Sequence, residues 1–172
     1  MDIIFAPWRY TYLKSVDAKK TSCIFCEAQK RSDDDSLILL RGRHSYVIMN
    51  LYPYNTGHVM VVPYRHVADY TELTRDEALE IHLLIKISLE AIREAYEPHG
   101  FNIGINLGRV AGAGIKDHIH VHIVPRWNGD TNFMPVIGGV KVISQDVNES
   151  YKYLKPYFQR VAERLGLTTK AK

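Results

Sequence analysis

The run His118-Ile119-His120-Val121-His122-Ile123-Val124-Pro125 constrains this chain more than any other. Imidazoles alternate with aliphatic residues, and a strand has a side-chain period of two. Ile119, Val121 and Ile123 must therefore enter a core while three imidazoles share the opposite face. The expected strand, 119–124, carries a row of imidazoles repeating at about 6.6 Å, twice the strand rise.

The neighbouring segments say what this strand packs with. Three β-rich runs, at 37–41, 46–50 and 58–62, are split by Gly42-Arg43 and by Pro53-Tyr54-Asn55-Thr56-Gly57, and read as consecutive antiparallel strands. A further run at 102–107 leads through the small-residue loop 108–114 (GRVAGAG) to the histidine strand, and a last short strand is expected at 136–143. Between them the period changes: Ile81, Leu84, Ile85, Ser88, Ala91, Ile92 and Ala95 share one helical face. Thr74-Arg75-Asp76-Glu77 forms a capping box before that face, and Pro98 and Gly100 end the helix. Tyr151, Leu154, Phe158, Val161 and Leu165 repeat at helical steps near the C-terminus, where Pro156 is expected to kink or restart the helix. The charged residues of 152–164 read as its solvated face, and Lys30-Arg31-Ser32-Asp33-Asp34-Asp35-Ser36 reads as a charged loop. The expected fold is α+β: about five antiparallel strands packed by a long central helix and a C-terminal helix.

Composition narrows the class. At 172 residues, 46% hydrophobic and 24% charged, the chain reads as one globular domain spanning 1–172 rather than a disordered or collagen-like one. Twenty-two basic against 19 acidic residues give a net charge of only +3, with no long block of one sign, so neither a nucleic acid nor a membrane surface is the expected partner. A pI near 8.8 still suits an anionic ligand. The opening MDIIFAPWRYTYLK lacks the layout of a secretory signal, and no apolar run reaches the length of a membrane span. With only two cysteines, Cys23 and Cys26, a cytoplasmic location is expected.

A row of histidines admits three readings: a half-exposed strand whose polar face happens to carry them, a metal site, or acid–base and nucleophilic chemistry. In the third, a central imidazole attacks phosphorus through one ring nitrogen while a backbone carbonyl fixes the proton on the other, and its neighbours donate to phosphoryl oxygens. A phosphoramidate on His120 would split one displacement into two. Gly112, Ala113 and Gly114 would let backbone N–H groups approach a phosphate. Cys23-Ile24-Phe25-Cys26 has the spacing of a zinc knuckle but supplies two of four ligands; packed reduced thiols or a redox couple fit the same pair.

The alternating pattern, with Asn50 eight residues before His58, the run Gly57-His58-Val59-Met60-Val61-Val62-Pro63, the long helix and the segment 102–125, resembles the histidine-triad superfamily of nucleotide hydrolases and transferases over residues 23–130. The flanks Ala6-Pro7-Trp8-Arg9-Tyr10 and Pro125-Arg126-Trp127-Asn128-Gly129-Asp130-Thr131-Asn132-Phe133 are similar to the branch containing diadenosine tetraphosphate phosphorylases. The resemblance implies that His120 becomes nucleotidylated, that His122 and His58 contact phosphate oxygens or the leaving group, and that His118 orients them. It implies a ribose contact for Asn50 and a place near the phosphates for Asn106, either of which would otherwise read as a turn or strand-edge residue. Trp127 would pack against the site or anchor the strand end. It further implies a structural zinc held by Cys23, Cys26, His66 and His118, no redox or organic cofactor, adenine nucleotides or dinucleoside polyphosphates as substrate, and a homodimer. His44, His82 and His99 are left to the surface or a helix face. One departure stands out: the family commonly has Gln or Ser four residues before the first triad histidine, and this chain has Gly114. Nucleoside phosphoramidate hydrolysis and nucleotide sensing without turnover are the competing functions.

Overall fold

A computed structural model describes residues 22–167. The Ala6–Tyr10 motif lies outside the described residues. The elements run α1 (Ile24–Ala28), α2 (Asp33–Ser36), β1 (Ile38–Arg41), β2 (Ser45–Met49), β3 (Val59–Pro63), α3 (Arg75–Tyr96), β4 (Gly100–Ile105), β5 (Val121–Arg126), α4 (Met134–Ile137) and α5 (Val147–Arg164), with single 3-10 turns at Tyr70–Glu72 and Arg109–Ala111. The five strands form one antiparallel sheet in the order β1-β2-β3-β5-β4.

Strand alternation divides the sheet into two chemically distinct faces. Val47, Met49, Val59, Val61, Val121 and Ile123 meet Ile81, Leu84, Ile87, Ala91 and Ile92 of α3 and Leu154, Phe158 and Val161 of α5 in one core. The residues between them, Ile38, Tyr46, Ile48, Met60 and Val62, gather around Phe25 of α1 on the other side. Register carries the site onto that second face: Met60 is opposite His122, while Val59 and Val61 face Ile123 and Val121.

The long helix begins where the capping box places it. Thr74 Oγ1 accepts from Glu77 N–H and Glu77 Oε2 accepts from Thr74 N–H, so two orphan donors of the first turn are satisfied. Glu77 is buried and also takes two hydrogen bonds from the Arg65 guanidinium. One turn along, the Glu80 carboxylate accepts from the N–H groups of Arg43, His44 and Ser45, tying the β1–β2 turn to α3. That approach explains Gly42, where a Cβ would stand 2.7 Å from the Glu80 carboxyl carbon.

Several expected boundaries shift. The histidine strand starts at Val121, not 119, because Ile119 N–H bonds to the Val67 carbonyl outside the sheet ladder. Even so, Ile119, Val121 and Ile123 are all buried as the alternation requires. The strand expected at 136–143 does not form: Met134–Ile137 is one helical turn and an extended loop follows, with Val136, Ile137 and Val142 exposed. An isolated edge segment with no partner strand gains nothing from the β propensity of its valines. Part of the expected charged loop at 30–36 instead forms α2, capped by Ser32 accepting from Asp35 N–H. Pro156 sits inside α5 without restarting it; Pro156 and Lys152, whose carbonyl loses its helical donor, are both on the solvent side, where water can replace that bond.

Candidate active site

The turn between β2 and β3 brings a fourth histidine to the triad face. His58 precedes β3 and is fully buried. The turn is pinned by Asn55, whose Nδ2 donates to the Pro125 carbonyl and to Asp130 Oδ2. Its Tyr54 ring lies 4.7 Å from the ring of His58 and 5.6 Å from that of His122.

Hydrogen-bond partners fix which nitrogen of each imidazole carries the proton. Tyr54 N–H can only donate, so His58 Nδ1 accepts it at 3.0 Å and His58 Nε2 carries the hydrogen. That N–H points to His122 Nδ1 at 3.0 Å, so His122 carries its own hydrogen on Nε2. The His118 carbonyl can only accept, so His120 Nδ1 donates to it at 2.8 Å and His120 Nε2 keeps its lone pair. Burial first, and then the neighbouring His122, His120 and Lys141, hold His58 at about 3, so it stays neutral near pH 7. Burial also lowers His120, against the opposing bond to the His118 carbonyl.

His120 and His122 open onto a cavity of about 1500 Å³ that Asn50, Tyr54, Gly112, Gly114 and Lys141 also line. Asn50 places Oδ1 on Tyr52 N–H and Nδ2 3.3 Å from His58 Nδ1. Gly112 and Ala113 N–H groups are used inside their own loop by the Arg109 and Gly108 carbonyls, and Gly114 N–H takes no partner among the described residues. Three expected residues stand back from the cavity lining. Ala113 is buried under the loop, Asn106 directs Nδ2 to the Gly112 carbonyl at 3.5 Å, and Trp127 donates from Nε1 to the Tyr96 carbonyl while its ring meets Tyr96 edge-on. Tyr54 and Lys141 were not singled out by any motif: one sits in a turn read only for its Pro and Gly, the other in the segment read as a strand.

His118 faces a different set of neighbours. Its Nδ1 lies 3.3 Å from Cys23 Sγ, 3.6 Å from Cys26 Sγ and 3.3 Å from His66 Nδ1, and Cys26 Sγ lies 3.4 Å from His66 Nδ1. A tetrahedral zinc with bonds of about 2.3 Å to sulfur and about 2.05 Å to nitrogen requires S···N near 3.5 Å and N···N near 3.3 Å. The four distances match those edges, and all four donor atoms lie within 4.8 Å of one another. His118 Nε2 donates to the Pro63 carbonyl at 2.9 Å, which leaves the Nδ1 lone pair facing the cysteines and His66 and fixes the ring. Burial and then Cys23 raise the Cys26 thiol, a cost that a bound cation would offset by favouring the thiolate. Phe25 separates the two clusters, packing edge-on against His118 at 5.4 Å and tilted over His120 at 5.0 Å. His118 therefore meets His120 through its backbone carbonyl, while its imidazole belongs to the Cys/His cluster.

A five-stranded antiparallel sheet backed by two helices, with a proton-ordered histidine chain on its open face, is the arrangement of a histidine-triad domain. The chain belongs to the HIT domain family, whose model matches residues 31–129. It is 40% identical over 164 residues to the AP-4-A phosphorylase of Mycobacterium tuberculosis, covering 91% of this chain and 84% of that protein. It is 33% identical over 107 residues to an adenosine 5′-monophosphoramidase of Schizosaccharomyces pombe, covering 62% of this chain and 76% of that one. Among solved structures, a zinc-bound histidine triad family protein from Mycobacterium smegmatis superposes with a TM-score of 0.67 at 25% identity, covering 84% of this chain and 98% of that one. No helix among the described residues is long and apolar enough to cross a membrane.

Proposed function

We propose that this enzyme cleaves dinucleoside polyphosphates, diadenosine tetraphosphate foremost, by phosphorolysis to ADP and ATP. The observation that carries the reading is the unprotonated Nε2 of His120, set beside the Nε2–H of His122 in the same cavity lining. Similarity to the mycobacterial phosphorylase over nearly the whole chain supports the substrate.

In the first step His120 Nε2 attacks an α-phosphorus, the bond from that phosphorus to its bridging oxygen breaks, and ATP departs. His122 Nε2–H lies where it can donate to an oxygen as charge develops, with the His58 bond holding its ring in that tautomer. The His118 carbonyl stabilises positive charge appearing on the His120 ring, because Nδ1–H already points at it. In the second step an oxygen of inorganic phosphate attacks the nucleotidyl phosphorus, the P–N bond breaks, and ADP leaves with His120 restored. Gly114 offers only its N–H to a phosphate, so no side chain from that position competes with the incoming acceptor.

Cys23, Cys26, His66 and His118 are read as the ligands of a structural zinc, supported by donor spacing, by the fixed His118 tautomer and by the zinc-bound mycobacterial relative. When bound, zinc would tie α1 to the segment before β5, and the closed four-ligand set gives it no open position for substrate. Free cysteines at both positions accord with a reducing compartment, the basis for a cytoplasmic reading. The homodimer is read from the family resemblance; β4, the sheet's edge strand with Ile103 half exposed, offers the free edge for a second copy.

The test is incubation of purified protein with diadenosine tetraphosphate, with and without inorganic phosphate, followed by separation of the nucleotides. ADP plus ATP only with phosphate is the expected result. AMP plus ATP without phosphate would make water the acceptor, and intact substrate in both arms alongside turnover of adenosine 5′-phosphoramidate would move the activity to that substrate.

A further inference from the structure

Polyphosphate binding needs standing positive charge, and the buried histidines supply little of it: His58 is neutral near pH 7, and burial lowers His120 as well. Among the described residues lining the cavity, the Lys and Arg side chains are Arg31 and Lys141. Arg31 lies close enough to Glu27 to help lower its carboxyl, at the acidic end that also contains Asp34 and Asp35. Lys141 instead lies near the histidines. Its Nζ donates to the Tyr54 carbonyl, beneath a ring that packs on both His58 and His122, and its charge reaches His58.

The chain delivers this lysine by a specific route. After α4, Gly138 and Gly139 turn the backbone, Gly139 with φ +62°, and Gly139, Val140, Lys141 and Ile143 then line the cavity. Gln145 anchors the far end, accepting from the hydroxyls of Tyr96 and Ser150. The carboxylate that Lys141 senses, Asp130, is already held by Arg126 through two nitrogens, by Asn55 and by Trp127 N–H. Lys141 makes no ion pair among the described residues, and burial of its ammonium lowers its pKa although the residue as a whole is exposed. An anion entering the cavity would be the charge partner it lacks.

We propose that Lys141 is the phosphate-binding cation of this site, holding phosphates beyond the reacting phosphorus: first those of the leaving nucleotide, then the inorganic phosphate that takes their place. The proposal rests on the reading of His120 as nucleophile. In a double displacement on one nitrogen, the acceptor arrives where the leaving group departed, so one cation serves both half-reactions. Gly114 contributes no side chain to that position, and Lys141 brings a charged one to the same cavity. A flexible ammonium with three donors suits a group that changes from a bridged to a free phosphate between the two steps.

Calorimetric titration of ATP and of AMP into wild type, Lys141→Gln and Lys141→Arg tests this without requiring turnover. Loss of one charge-assisted bond is expected to weaken ATP by roughly tenfold or more in Lys141→Gln, with AMP changed less than about twofold and most of the ATP affinity restored in Lys141→Arg. With diadenosine tetraphosphate as substrate, Lys141→Gln should also raise the KM for inorganic phosphate and shift product from ADP toward AMP. An unchanged preference for ATP over AMP in Lys141→Gln overturns the assignment, whether or not the wild type turns over. A wild type that binds ATP in a Lys141-dependent way yet makes no ADP would instead defeat the proposed reaction and leave the cation site standing. Thermal unfolding of each variant checks that the fold is intact, and Lys141→Met, which keeps an unbranched apolar stem, repeats the test if Lys141→Gln is unstable.

Discussion

Removing the Glu77 carboxylate should cost stability in a way that depends on pH. Glu77 is buried at the start of α3, accepts from Arg65 Nε at 2.9 Å, Arg65 Nη2 at 2.7 Å and Thr74 N–H at 2.8 Å, and closes the capping box. The Arg65 bonds, followed by the Thr74 backbone bond, bring its carboxyl from the ordinary 4.5 down to about 2, against the opposing effect of burial. A depressed folded-state pKa means stability that is fully present above the unfolded value and is lost as pH falls through the folded one. At about 1.36 kcal/mol per pKa unit the difference corresponds to roughly 3 kcal/mol; Arg65 is 45% exposed, so solvent screening reduces this to about 2 kcal/mol. Glu77→Gln should therefore unfold about 2 kcal/mol more easily in urea near neutral pH, and its gap to wild type should close between about pH 4.5 and about pH 2. A gap that stays constant across that range would show that the carboxylate's charge contributes nothing and that only its shape matters.

Phe158→Ala removes a fully buried ring between α5 and the sheet, and urea unfolding should show a loss of roughly 3–5 kcal/mol. Cys26→Ser takes one donor from the Cys/His cluster; metal content by elemental analysis and competition with a chelator should show zinc held at least about tenfold more weakly than in wild type. Because His58 stays neutral down to about 3, it should contribute no acid limb at the ordinary histidine value to the pH–rate profile, and a limb centred near 6.5 that disappears in His58→Gln would contradict the proton assignment.

Much of this architecture was legible because it rests on period. The alternation at 118–125 predicts that Val121 and Ile123 enter the helix-covered core, the spacing from Ile81 to Ala95 predicts the face of α3, with Ile85 and Ala95 at its half-buried margin, and Thr74 and Glu77 locate its first turn. Ile87, which the spacing omitted, is also fully buried, because α3 is covered by α5 as well as by the sheet. What period could not supply is side-chain direction where the backbone leaves the ladder. Whether His118 joins its triad neighbours or the cysteines depends on the Val67–Ile119 and Pro63–His118 bonds, whose partners are more than 50 residues apart in sequence. The 136–143 segment misled for a related reason: its valines and isoleucines favour a strand, but no strand edge is adjacent, so it becomes a turn of helix and a cavity wall. Lys141 and Tyr54 are consequences of that wall and of the β2–β3 turn, and neither position has a local pattern that marks it.

The central claim is that His120 carries the nucleotide between two displacements. It is tested most directly by mixing the protein with diadenosine tetraphosphate in the absence of phosphate, quenching in alkali, where a phosphoramidate survives, and mapping the modified peptide by mass spectrometry. One adenylyl group on His120, absent from His120→Ala and discharged as ADP when phosphate is added, is the predicted result. Turnover by His120→Ala at a rate comparable to wild type, or a nucleotide bound covalently at any other residue, would contradict it.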